Sequence, residues 1–209
     1  MSEGVSVADA AFGDATYGDA RFDSRARARL SADLGISDEW AYIFQVHGTA
    51  FVAATGPGNC GEADIILTTV PGLPVAIATA DCVPIVLWSE TTVAVVHAGW
   101  RGASAGVVRT AIHAMESDGV PVNRAAIGPA ICRSSFEVGE DVLALFPGFG
   151  STTDWGTPAV DLVGAIRDQL GAIPHVVEEI CTFEDAAYYS YRRDATKGRQ
   201  VTVAWLPNG

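Results

Sequence analysis

The sequence predicts a single α+β domain, residues 1–209, in which mixed β-sheets carry helices on their outer faces. Three observations point there. Residues 74–80 and 83–88 are apolar throughout instead of alternating, the pattern of strands buried on both faces. Segments of helical period lie among the strands. No internal repeat, low-complexity tract or interdomain linker divides the chain.

Taken in order, residues 1–23 are rich in Ala, Gly and Asp and show no clear period. Residues 24–34 read as a short helix, with Ser24 as N-cap and Gly35 as the stop. Residues 40–46 form an aromatic and β-branched strand ending at His47-Gly48, and residues 49–53 a second strand. A Gly/Pro/Asn loop follows over 56–61. Residues 64–70, 74–80 and 83–88 are strands, with Pro71-Gly72 as a turn and Asp81-Cys82 between the last two. The next strand, 93–97, runs into His97-Ala98-Gly99-Trp100-Arg101-Gly102 and then a helix over 103–116. That helix has Val107, Val108, Ala111, Ile112 and Met115 on one side. Residues 125–127 form a brief strand before Gly128-Pro129. Residues 137–146 and 161–170 read as helices, the second closed by Gly171, and 175–179 and 200–205 as late strands.

Composition narrows the function classes. Apolar residues make up 49% of the 209, enough for a sizeable core. The formal charge is −12, from 13 basic and 25 acidic residues, which argues against a nucleic-acid surface or an acidic membrane as partner. No stretch is long and apolar enough for a membrane span, and the N-terminus lacks the pattern of a signal peptide. Cys60, Cys82, Cys132 and Cys181 form no C-x-x-C pair. A disulfide framework is not expected in a chain with this much core, and the cytoplasm is the default compartment.

His47, Cys82 and His97 share one setting: each stands at or just past the end of an apolar strand. Neighbouring strand ends converge in a sheet, and a His/Cys/His set with an open fourth position is a zinc site of the catalytic type. The plainer alternatives are a buried inert thiol and histidines satisfied by backbone carbonyls. Asp81 either orients a histidine ligand or simply forms a turn. Arg101, with the helix start beside it, and Arg192 can each face an anion or remain surface charges. His113 and His175 lack such a setting and read as structural. There is no H-x-E…P-C-x-x-C pattern of a cytidine-type deaminase, nor an H-x-H pair for a multinuclear copper cluster.

Several motifs together then carry a resemblance. They are Gln45-Val46-His47-Gly48, Thr79-Ala80-Asp81-Cys82-Val83-Pro84, His97-Ala98-Gly99-Trp100-Arg101-Gly102, Ile127-Gly128-Pro129-Ala130-Ile131, Phe136-Glu137-Val138-Gly139, Cys181-Thr182 and Ser190-Tyr191-Arg192-Arg193-Asp194. Over nearly its whole length the chain resembles the laccase-domain purine nucleoside phosphorylase family, also called polyphenol oxidase or peptidoglycan editing factor. The resemblance implies a cysteine-hydrolase-like laccase-domain fold of layered sheets and flanking helices. It implies His47, Cys82 and His97 as metal ligands and catalytic residues, with zinc as the metal and copper as the alternative. It also implies phosphorolysis of adenosine, inosine, guanosine or methylthioadenosine, and deamination of adenosine, by a monomer or homodimer. Arg101, Gln45, Asp81 and Arg192 are the residues expected to bind nucleoside and phosphate.

The chain departs from the family at its N-terminal match Gly4-Val5-Ser6, at Ala11-Phe12-Gly13, at Ser134-Ser135, where many members have cysteines, and at Ala195-Thr196-Lys197-Gly198-Arg199. These changes bear on the entrance, the sheet edge and substrate preference. Three other readings compete. One is a cysteine hydrolase acting on an amide of a cell-wall precursor, with Cys82 as nucleophile, a histidine as base, and Asp81 or Gln45 as the orienting or oxyanion group. Another is copper-dependent phenol oxidation, and the last is a binding protein without catalysis.

Overall fold

The computed structural model describes residues 5–7, 9–20 and 23–208, so Gly4 of the N-terminal match lies outside the described residues. In chain order the strands are β1 (Val5–Val7), β2 (Ala10–Phe12), β3 (Ala41–Phe44), β4 (Phe51–Ala53), β5 (Gly58–Glu62), β6 (Ile65–Thr68), β7 (Val75–Thr79), β8 (Val83–Trp88), β9 (Val93–Ala98), β10 (Arg124–Ile127), β11 (Gly150–Thr152), β12 (Pro158–Val160), β13 (His175–Val177) and β14 (Gln200–Ala204). The helices are α1 (Ser24–Leu34), α2 (Trp100–Ser104), α3 (Val107–Met115), α4 (Glu140–Leu143), α5 (Leu162–Leu170) and α6 (Tyr191–Asp194).

The strands form two six-stranded mixed sheets, ordered β1-β2-β14-β7-β3-β5 and β13-β10-β8-β9-β6-β4, and a small β11-β12 hairpin. Their inner faces meet in a core of Phe12, Ile43, Val75 and Ile77 from the first sheet against Ile66, Val86, Val93 and Val95 from the second. The second sheet turns its other face, including Ile85, Leu87, Ala94 and Val96, towards α2, α3 and α5. The first sheet packs Ala76, Ala78, Val201 and Val203 against Leu30 of α1 and against Trp40. Each central strand thus serves two cores, which is why its sequence shows no alternation. Every residue of β7, β8 and β9 is buried.

Several boundaries move. The cap of α1 is Asp23 instead of Ser24: its carboxylate accepts from the Arg25 and Ala26 amides, while Gly35 closes the helix in the left-handed region as expected. The helix expected over 103–116 begins earlier and breaks in two, because Gly106 at φ 83° separates α2 from α3. The expected loop at 56–61 contains β5, an edge strand pairing in parallel with β3. Of the helix expected over 137–146, only the single turn of α4 forms. Strands β1 and β2 arise in the aperiodic N-terminal stretch and join the sheet through β14.

Candidate active site

The site lies where the two sheets meet. His47 follows β3 of the first sheet; Cys82 precedes β8 and His97 lies near the end of β9, both in the second. Two abrupt turns deliver the first pair. His47 adopts φ 62° and Asp81 φ 85°, a region that non-glycine residues seldom enter and that clusters at functional sites. The three ligand atoms lie within 4.8 Å of one another, and the two imidazoles stand edge to face with centroids 4.9 Å apart.

The residue that organises them is Asp64, the last before β6, fully buried. One carboxylate oxygen lies 2.7 Å from His97 Nδ1 and accepts from the His47 amide at 2.9 Å. The other accepts from the amides of Gly48 and Val46 at 2.5 and 3.3 Å. Burial alone would raise the Asp64 carboxyl, but the His97 bond and these N–H donors outweigh it and hold it below its usual range. An ionised carboxylate only accepts, so His97 Nδ1 carries a proton and Nε2 is the nitrogen turned to Cys82. Burial likewise opposes ionisation of Cys82 and His97. Their mutual attraction prevails, with the His47 hydrogen bond helping the thiol and Asp64 helping the imidazole. The Cys82 thiol is lowered to about 6 and the His97 imidazole raised to about 9.

The glycines of the third motif fit this cluster. A Cβ on Gly99 would lie 2.8 Å from His47 Cδ2 and 3.2 Å from Cys82 Sγ; one on Gly102 would lie 2.8 Å from the Gly48 carbonyl oxygen. Both positions must be glycine for the loop of His47 to close over the start of α2. The residues present therefore suit a divalent cation: two imidazoles, one thiolate, a carboxylate fixing one ring, and a backbone cradle.

The triad opens into a cavity of about 600 Å³ that also takes in Trp40, Tyr42, Phe136 and Tyr191 and four arginines: Arg27, Arg101, Arg192 and Arg199. Arg101 is exposed and lies over the Trp100 ring at 4.2 Å. Arg192 lies over Phe136 at 5.4 Å and donates to the Glu137 carbonyl at 2.7 Å.

The other two expected substrate residues line the cavity but have their polar atoms engaged elsewhere. Gln45 donates to the Ala78 carbonyl and accepts from the Ala78 amide, at 2.7 and 3.0 Å. Asp81 accepts from the Thr182 hydroxyl and the Arg192 amide, both at 2.7 Å. The carboxylate bonded to a histidine is therefore that of Asp64 and not of Asp81. His113 is exposed on α3, and His175 lies 2.9 Å from the Ile173 carbonyl oxygen. Sequence reasoning missed Asp64, Arg27 and Arg199. The one signal for Asp64 was an acid heading an otherwise apolar strand.

One cysteine expectation is corrected. Cys132 and Cys181 are joined as a disulfide, because Ala130 and Cys181 bridge in parallel and bring two tight turns together; Cys60 and Cys82 are free.

A family model described as multi-copper polyphenol oxidoreductase laccase matches residues 3–207. The chain belongs to this laccase family. Among relatives of this laccase-domain chain, the purine nucleoside phosphorylase ORF3 of Streptomyces griseus is 36% identical over 96% of this chain and 90% of its own length. A purine nucleoside phosphorylase of Deinococcus radiodurans is 40% identical over 87% of this chain and 76% of its own. The crystal structure of YlmD from Geobacillus stearothermophilus superimposes with a TM-score of 0.81 at 27% identity, covering 91% of this chain and 82% of the other. The Bacillus licheniformis protein YfiH shares the fold, with a TM-score of 0.79 at 22% identity. The family description speaks of several coppers. Among the described residues of this laccase-domain chain, only His47, Cys82 and His97 form a histidine-containing cluster, a ligand set for one ion.

Proposed function

We propose that this chain is a zinc-dependent purine nucleoside enzyme. It cleaves adenosine, inosine, guanosine or methylthioadenosine with phosphate and deaminates adenosine. The observation that carries the reading is the single cavity that combines a His/Cys/His donor set, aromatic walls and four arginines in a chain of charge −12. The names of the similar proteins support the substrate class.

His47, Cys82 and His97 would hold the metal, which when bound supplies Lewis acidity for polarising an oxygen and activating a water. Asp64 keeps the His97 ring turned so that Nε2 faces inward. Phe136, which carries Arg192 over its ring, and Tyr191 supply aromatic walls for a purine. Arg101 and Arg192 bind phosphate and set it against the anomeric carbon. The five-residue helix α2 contributes little to that task beyond placing Arg101. The test is direct: purified protein, assayed for bound zinc and for phosphate-dependent release of adenine or hypoxanthine. Absence of both ends the proposal. Arg101→Ala is expected to raise the KM for phosphate more than that for nucleoside.

A second reading rests on a different feature. Cys82, His97 and Asp64 line up as thiolate, imidazole and carboxylate, the order of a cysteine hydrolase. The thiolate cannot both hold a metal and attack an amide. Iodoacetamide labelling of Cys82 that zinc suppresses supports the metal enzyme. Amidase activity that persists after chelation supports the hydrolase.

A further inference from the structure

We propose that, once the Cys132–Cys181 disulfide is reduced, Cys132, Cys181 and Glu184 form a second metal site that takes a thiophilic divalent cation such as zinc. Their ligand atoms lie within 4.8 Å of one another. Cys132 Sγ is 3.1 Å from Glu184 Oε1, and the Cys132 amide points at Cys181 Sγ from 3.2 Å. Both cysteines head tight turns. The Cys132 carbonyl accepts from the amides of Ser135 and Phe136, and the Cys181 carbonyl from those of Glu184 and Asp185. The second turn thereby sets Cys181 and Glu184 on one side, facing Cys132.

The hydroxyls of Ser134 and Ser135 both donate to Glu184 Oε1 at 3.3 Å and hold that carboxylate over the sulfurs. Two thiolates and one carboxylate make a set that prefers zinc to calcium or magnesium. The cysteines are half-buried and Glu184 is exposed, which leaves a fourth position for water. None of these residues belongs to the cluster of His47, Cys82 and His97.

A dithiol reductant gives two electrons and two protons to the S–S bond and becomes a disulfide itself, leaving two thiols. Each thiol then loses its proton to solvent as its sulfur binds the cation. Either state ties the same two turns together. The tie matters to the cavity, because Ile131 donates to the Asp81 carbonyl and Thr182 to the Asp81 carboxylate, each one residue from a cysteine.

The experiment uses the full chain, treated without air with a phosphine reductant. The phosphine takes oxygen from water, becomes its oxide and leaves two thiols. The protein is then equilibrated with Co²⁺, desalted and analysed for metal. Reduced wild type is expected to hold one equivalent more than unreduced protein, with added thiolate-to-cobalt charge-transfer absorbance. Cys132→Ser loses the extra equivalent. Glu184→Gln, at an exposed position that leaves folding intact, weakens it by about tenfold. Cys82→Ser keeps it. Equal cobalt in reduced and unreduced wild type overturns the proposal, and so does an extra equivalent unchanged in Cys132→Ser and Glu184→Gln. The comparison is a difference, so it stands whether or not the first cluster binds metal.

Discussion

Asp64 sets what His97 can do. With its carboxylate spent on one imidazole and three amides, it fixes both the ring and the loop that carries His47. Asp64→Asn keeps the shape but replaces an anion by a neutral amide. It is expected to lower zinc affinity by about 10- to 100-fold, measured by competition with a chromophoric chelator. Cys82 offers a second test. In metal-free protein its thiol loses a proton near pH 6, below the ordinary thiol range. Alkylation should therefore climb as pH rises through about 6 and level off above it, whereas zinc should suppress it throughout. Cys82 and the two histidines each stand at the end of an apolar run, a weak signal by itself, and it was the family motifs around them that singled them out as a set. Asp64 was not legible in the sequence, because its partner His97 is 33 residues away and an acid at a strand end has many ordinary explanations.

At the scale of elements, Gln45 does what a strand would. Main-chain pairing of β3 with β7 covers Ala41 and Tyr42 only, and the Gln45 amide then bonds to both backbone groups of Ala78. The chain is free beyond that point to bend towards His47. Gln45→Leu would leave an amide and a carbonyl unpaired and should cost about 1–3 kcal/mol in urea unfolding. The buried strands were readable from their uninterrupted apolar runs. The split of the helix over 103–116 was not, since the apolar face of α3 continues smoothly and only the left-handed Gly106 breaks it. Nor was the short α6, where the Ser190 side chain accepts from the Arg193 amide. Arg193 in turn donates to the carbonyls of Thr182, Phe183, Asp185 and Tyr188, partners chosen by the tertiary fold.

At the scale of the molecule, composition announced a large core and the strand pattern announced mixed sheets, but not which strands would be neighbours. The antiparallel pairing of β14 with β7 and β2 joins the two ends of the sequence, and local patterns carry no information about it. The disulfide is long-range in the same way. Its cysteines are 49 residues apart, and closing that loop restricts the unfolded chain. Reduction without added metal should lower the unfolding free energy by about 2–4 kcal/mol. Alkali should act through Tyr188, whose phenol is pushed up to about 12 by burial and by Asp14, Asp185 and Glu178. Its contribution is complete below pH 10 and fades between 10 and 12, as the unfolded phenol ionises first, so Tyr188→Phe should flatten that part of the urea profile. The site also straddles both sheets. His47 arrives on one and Cys82 and His97 on the other. The triad is thus an interlock: a chain with only one sheet formed holds an incomplete set of groups, and competence switches on only when assembly finishes.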